Sequence, residues 1–187
     1  MSLQALTMMR GDSATDRLDR RVQYVAIIGS PGKPAAAEII DRVTQWVSDR
    51  AVVVMSDITY DSQKAIAAKA EMLIVLGGDG TLIGAVHGLR DHQIPIVGIN
   101  IGKLGYLADF TLDELEREGE FLFAHDLPIT RRALMDVRIE SGDGVTSHSP
   151  AVNDCVVLAG APFHMIELVV EVDGAKVALV RGDGLIV

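Results

Sequence analysis

Between Tyr24 and Asn100, short apolar runs alternate with longer stretches whose apolar residues recur at helical spacing. Tyr24 to Gly29, Ala51 to Met55, Met72 to Leu76 and Ile94 to Ile99 read as buried strands. Residues 34 to 50 place Ile39, Ile40, Val43, Trp46 and Val47 on one face, and Pro34 suits a first helical turn. Ser62 to Ala70 reads as an alanine-rich helix and Thr81 to Leu89 as another. Strands joined by crossover helices lie parallel, and they are hydrophobic on both faces because helices cover both. The expected fold class is therefore α/β, with an N-terminal parallel-sheet, Rossmann-like domain.

Beyond Asn100 the pattern changes. Thr111 followed by Glu114 is a capping-box signature for a helix starting near Leu112. After Pro128 the chain turns to strands: Ile166, Leu168, Val170 and Val172 alternate with Glu167, Val169 and Glu171, and Asp173-Gly174 supplies a tight hairpin turn. Asp143-Gly144 is a second turn of that kind. These signals place a boundary at 124–128, dividing the chain into an α/β nucleotide-binding domain over 22–126 and an all-β, sandwich-like region over 127–187. Residues 1–21, polar and without an apolar core, read as a disordered lead-in or added residues rather than a secretory signal. The last residues, Gly182-Asp183-Gly184-Leu185-Ile186-Val187, open a strand, so the β region is expected to be incomplete and the natural polypeptide to continue.

Charge and cysteine usage narrow the function. With 17 Lys+Arg against 26 Asp+Glu, a net charge of -9 argues against nucleic acid as a partner, since phosphate-backbone neutralisation needs clustered cations. No apolar run reaches the roughly 18 residues of a membrane span, so no membrane partner is expected. Cys155 is the single cysteine, which excludes an intrachain disulfide and a Cys-based zinc site and fits a reducing, cytoplasmic setting. An acidic chain that binds a phosphorylated small molecule needs a local cradle.

Leu76-Gly77-Gly78-Asp79-Gly80-Thr81 offers one, because a buried strand there meets a glycine turn that opens a helix. Glycines let the backbone approach a phosphate, and a helix N-terminus adds a favourable dipole. The turn is not a Walker A loop, which needs a Lys after the last glycine, nor G-x-G-x-x-G, since position 83 is Ile. Asp79 is the exception inside the cradle: beside phosphate a carboxylate holds a metal, accepts a hydroxyl proton, or simply caps the helix.

Gly98-Ile99-Asn100-Ile101-Gly102-Lys103-Leu104-Gly105-Tyr106-Leu107 follows the next strand and reaches the same sheet edge, where three glycines, Asn100, Lys103 and Tyr106 suit a nucleotide wall or, more plainly, an ordinary loop with Tyr106 packed at its base. Asn153-Asp154 can bind a ribose diol and a base edge or form a turn. His164 reads as a half-buried packing residue or a ligand. Arg181-Gly182-Asp183-Gly184 suits a diphosphate or sugar, or a hairpin turn. Cys155 reads as a small buried hydrophobe, and the other histidines show no metal-ligand spacing.

Taken in order, Gly77 to Thr81, Gly98 to Leu107, Asn153-Asp154, His164 to Glu167 and Gly182 to Gly184 resemble the bacterial-type NAD kinases over about residues 23 to 187. The first segment alone is shared with lipid kinases and phosphofructokinases. The resemblance implies a phosphofructokinase-like α/β domain, a β domain and a substrate site between them, with transfer of the ATP γ-phosphate to the adenosine 2'-hydroxyl of NAD. It assigns Asp79 as general base, with Gly80 beside the nucleotide and Gly77, Gly78 and Thr81 as its wall. Asn153 and Asp154 are implied as contacts to ribose or base, and His164, Arg181 and Asp183 as pocket lining. Also implied are Mg2+ or another divalent cation carried with ATP, and a homodimer or homotetramer. The chain departs from the family at Gly84, where many members carry a basic residue, and at Asp154, where many carry Glu. The alternatives are a lipid or sugar-phosphate kinase sharing the turn, and a non-catalytic dinucleotide-binding module.

Overall fold

In a computed structural model of the chain, the residues described are 15–29, 35–59, 61–102, 105–142, 144, 146–162 and 164–187. The expectations for Pro34, Lys103 and Asp143 fall outside them. The chain divides into a unit ending at Arg132 and a unit beginning at Ala133.

In the first unit the elements run β1 (Thr15–Leu18), β2 (Tyr24–Gly29), α1 (Ala35–Ser48), β3 (Val52–Asp57), α2 (Ser62–Ala67), β4 (Met72–Leu76), α3 (Asp79–Leu89), β5 (Ile96–Asn100), β6 (Phe110–Thr111), α4 (Leu112–Glu118), a 3-10 helix (Gly119–Phe123) and β7 (Leu127–Thr130). Five strands form a parallel sheet in the order β3-β2-β4-β5-β6. The alternation of side chains across a strand divides the core into two layers. Val25, Ile27, Met72, Ile74, Leu76, Val97 and Ile99 point to one face, where Ile40, Val43 and Val47 of α1 and Leu115 of α4 cover them. Ala26, Ile28, Leu73 and Val75 point to the other, against Ala65 of α2 and Leu82, Ala85 and Leu89 of α3. Both faces are dry, which is why β2 and β4 are nearly unbroken apolar runs rather than alternating ones.

The order fixes where a ligand crevice lies. From β2 the chain crosses by α1 to one neighbour, β3, and then returns by α2 on the opposite face to the other neighbour, β4. Connections therefore reverse between β2 and β4, and in open parallel sheets ligands bind beyond the carboxyl ends of the strands at such a point. The glycine turn after β4 stands there.

The boundary differs from the expected 126/127. β7 pairs antiparallel with β1, Leu18 against Leu127 and Thr15 against Thr130, and this ladder keeps residues up to Arg132 with the first unit. Part of the expected lead-in is thus strand.

Over 133–187 the structure is antiparallel. β8 (Leu134–Glu140) pairs with β9 (Thr146–Val152), β10 (Val156–Leu158) with β13 (Gly184–Ile186), and β11 (Ile166–Val172) with β12 (Ala175–Gly182). Asp173 and Gly174 both take positive φ, 51° and 77°, as a tight two-residue hairpin turn requires.

Candidate active site

α3 begins at Asp79, and its N-cap is Gly78, in extended conformation with no side-chain cap hydrogen bond. Asp79 is therefore not the helix cap. Gly78 caps with its carbonyl alone, accepting from the N–H groups of Thr81 at 2.9 Å and Leu82 at 3.2 Å. The Asp79 side chain is left to turn out of the helix, toward the segment that follows β5.

That segment meets it with two amides. The N–H of Tyr106 donates to Asp79 Oδ2 at 2.9 Å, and the N–H of Leu107 donates to Oδ1 at 3.0 Å. The Tyr106 amide, and after it the Leu107 amide, hold the Asp79 carboxyl below its ordinary range, against the opposing effect of desolvation. Each oxygen keeps a further lone-pair direction for a second donor. The Tyr106 ring is 84% exposed and available to a flat ligand surface.

The segment is anchored on both sides. Asn100, 8% exposed at the end of β5, accepts the N–H of Gly102 on Oδ1 at 2.9 Å, turning the chain directly off the strand. Farther on, the Gly98 N–H donates to Asp109 Oδ2 at 3.0 Å and the Asp109 N–H to the Gly98 carbonyl at 2.9 Å. Gly98 has no room for a side chain: a Cβ there would stand 2.9 Å from the Cα of Ala108 and 2.9 Å from Leu82 Cδ1. The Gly77 N–H donates to the Ile99 carbonyl at 2.9 Å, fixing the start of the glycine turn to β5. Gly77, Gly78, Asp79, Gly80, Thr81 and Tyr106 thus come together at one sheet edge, with Asn100 acting below as a turn anchor rather than as an exposed wall.

Asn153, Asp154, His164, Arg181 and Asp183 belong to the 133–187 unit. Asn153 takes a left-handed φ of 67° in the bend after β9, and the N–H of Asp154 donates to the Val152 carbonyl at 2.8 Å. His164 is exposed just before β11, where a half-buried packing role was one expectation. Asp183 lies in the bend between β12 and β13, with its carbonyl accepting the Ala159 N–H at 2.8 Å. Arg181 is paired: its Nε donates to Glu167 Oε2 at 2.6 Å, directly across the ladder.

Sequence reasoning took the second glycine-bearing segment, Gly105 included, as a nucleotide wall and did not foresee that the Tyr106 and Leu107 amides close on Asp79. The signal was position: a loop leaving β5 emerges beside the turn leaving β4, because the two strands are adjacent and parallel. Among the described residues, no group of three or more His, Cys, Asp or Glu side chains could hold a metal ion, and no helix is long and apolar enough to cross a membrane.

Known proteins match this arrangement. Residues 54–126 match the family of ATP-NAD kinase N-terminal domains. The NAD kinase of Trichlorobacter lovleyi is 33% identical over 175 residues, covering 89% of this chain and 61% of that protein. The NAD kinase of Pseudomonas syringae pv. syringae is 34% identical over 175 residues, covering 87% of this chain and 59% of its own length. The chain thus spans about three fifths of the curated relatives it matches. The crystal structure of yeast NADH kinase complexed with NADH superimposes with a TM-score of 0.71 at 20% identity, over 95% of this chain and 59% of that one, which establishes a shared fold. In its match over the glycine turn and much of the sheet, and in relatives aligned along nearly all its length, the chain is similar to the NAD kinases.

Proposed function

We propose that the protein transfers the γ-phosphate of ATP to the adenosine 2'-hydroxyl of NAD, with Asp79 as the proton acceptor. The observation that carries this reading is the position of Asp79: a carboxylate at the mouth of a glycine turn, freed from capping and held ionised by two main-chain amides.

The chemistry follows from that environment. A ribose hydroxyl is a weak nucleophile, and a carboxylate within hydrogen-bond reach can take its proton as it attacks phosphorus. A carboxyl held below its ordinary range is a weak base, so proton transfer belongs late in the step. Phosphoryl transfer tolerates this, since its transition state is loose and most of the acceleration comes from positioning and charge neutralisation. The glycine turn and the α3 N-terminus favour the anionic phosphates. Magnesium or another divalent ion enters with ATP, bound chiefly by its phosphate oxygens, and supplies the main positive charge. It is a substrate ion in this reading, consistent with the single carboxylate at the turn.

In the same reading Asn153 and Asp154 contact the dinucleotide's ribose or base, and His164 and Asp183 line its pocket. Glu167 shares the charge of Arg181, which leaves that residue a positioning role toward a diphosphate. A sandwich-like β domain extending past the strands of 133–187, a homodimer or homotetramer, and a cytoplasmic setting complete the proposal.

The test is NADP formation from NAD, ATP and magnesium by the full chain and by Asp79→Asn. The substitution conserves shape, removes the charge and leaves one of the two amides facing an NH2 group, so the thermal midpoint should fall modestly while kcat per folded molecule falls by on the order of 100-fold or more. A kcat within twofold of the parent would remove Asp79 from the reaction. Phosphorylation of a lipid or sugar phosphate in place of NAD would replace the substrate while keeping the base.

A further inference from the structure

The turn at Gly105 is built around the Asp79 carboxylate. A Cβ at Gly105 would stand 2.7 Å from Asp79 Cγ and 3.0 Å from Oδ2, inside the distances that real side chains keep. The two residues that follow are the donors, Tyr106 at 2.9 Å and Leu107 at 3.0 Å. Gly105 sits in ordinary backbone conformation, because the positive-φ glycines of the chain are Gly144 and Gly174 among the described residues. Backbone freedom is therefore not what glycine provides at this position. What it provides is clearance, and the group that occupies the clearance is the carboxylate.

We infer that Gly105 is a positioning residue for Asp79: its missing side chain lets the Tyr106 and Leu107 amides close on the carboxylate, and this contact fixes the direction in which the acid points. The inference rests on the reading of Asp79 as proton acceptor only for its catalytic consequence. The clamp itself is a property of the folded chain. Any side chain at 105 must push the carboxylate or its own turn aside, and either movement breaks at least one N–H to oxygen bond. Gly105 touches no reacting atom in this scheme and acts through Asp79 alone.

Two measurements on the full chain test it. In the first, aspartate-labelled protein is titrated by carbon NMR, with the Asp79 signal assigned by its loss in Asp79→Asn. In the parent the carboxyl should titrate below the ordinary aspartate range, and in Gly105→Ala it should move upward toward it, because the amide donors that favour the charged form are displaced. An unchanged titration overturns the inference. This readout needs no turnover, so it stands apart from whether the parent makes NADP. If the parent is active, Gly105→Ala should also lower kcat, expressed per folded molecule by circular dichroism at the assay temperature, by on the order of tenfold or more while KM for NAD and ATP stays within about threefold.

The second measurement keeps the question open to refutation where Gly105→Ala folds poorly. The same substitution is made in Asp79→Ala, which removes the atoms that the new Cβ would meet. The thermal midpoint should drop when alanine is placed at 105 in the parent and change little when it is placed there in Asp79→Ala. Recovery of a folded protein in the double variant supports the clearance argument. Equal losses in both backgrounds overturn it.

Discussion

Asp57 and Asp79 both stand at carboxyl ends of the sheet, yet their surroundings give them different work. Asp57 closes β3, and both its oxygens are taken by its own neighbourhood: the Thr59 amide at 2.8 Å, the Thr59 hydroxyl at 2.7 Å and Lys64 Nζ at 2.8 Å. The Lys64 hydrogen bond, then those from Thr59, pull its carboxyl down from 3.8 to about 2. A depressed acid contributes stability that is complete above the unfolded value and disappears as pH falls through the folded one. The stability difference between parent and Asp57→Asn should therefore be constant above about pH 5 and shrink between 3.8 and about 2, as read from denaturant melts across that range. A difference that persists undiminished at the acid end would show that Asp57 acts through shape. Asp79 draws notice in the sequence because it interrupts a glycine turn, whereas Asp57 does not, and the partners of neither are marked there. Asp57 finds its partners within seven residues along the chain, whereas those of Asp79 lie 27 and 28 residues away and depend on how two strands sit side by side.

Elements were legible where local signals agreed with tertiary demand. β2 and β4 have the bounds that their apolar runs indicate, since a strand buried on both faces has no polar position to blur its ends. The capping box at α4 also forms as written: Thr111 Oγ1 accepts the Glu114 N–H at 3.3 Å, and Glu114 Oε2 accepts the Thr111 N–H at 2.8 Å. Thr111→Ala should destabilise the first unit by about 0.5–2 kcal/mol in urea, and a change below the error of the melt would mean that packing of Leu115 alone holds the helix. α3 starts two residues earlier than the apolar pattern indicates, because the cap is a glycine carbonyl and not the aspartate that follows it. β1 was illegible: Thr15-Asp16-Arg17-Leu18 has one apolar residue, and its partner strand is more than a hundred residues downstream. Arg181 shows the same limit in finer form. An unbroken ladder from the Asp173-Gly174 turn would set Glu167 opposite Val180, and the irregularity between Val170 and Glu171 shifts the register by one and brings Arg181 across from Glu167. A bulge of this kind leaves no mark in the pattern of alternating residues.

For the molecule, the doubly covered sheet is the source of both stability and placement. Ile74 lies at its centre, fully buried on the α1 face, with Ile27 and Val97 as its register partners on the two flanking strands. Ile74→Ala should cost about 2–5 kcal/mol, measured from the denaturant midpoint of the first unit. A loss under about 1 kcal/mol would mean that the helices collapse onto the vacancy. The strand order that this core enforces is what presents the glycine turn and the Gly105 segment at one edge, so the architecture was readable from the alternation of elements, while the contact between the two loops emerged only once neighbouring strands were known.

The stitching of Gly98 to Asp109 means that the acid is tuned from the interior. Leu82 and Ala108 sit against Gly98, and an enlargement among the three should shift the backbone that carries the Tyr106 and Leu107 amides. In a library scored for turnover, these positions would register as if they were catalytic, and a variant selected purely for a tighter interior would carry a hidden kinetic defect. Core design in this fold has to be scored on chemistry as well as on melting temperature.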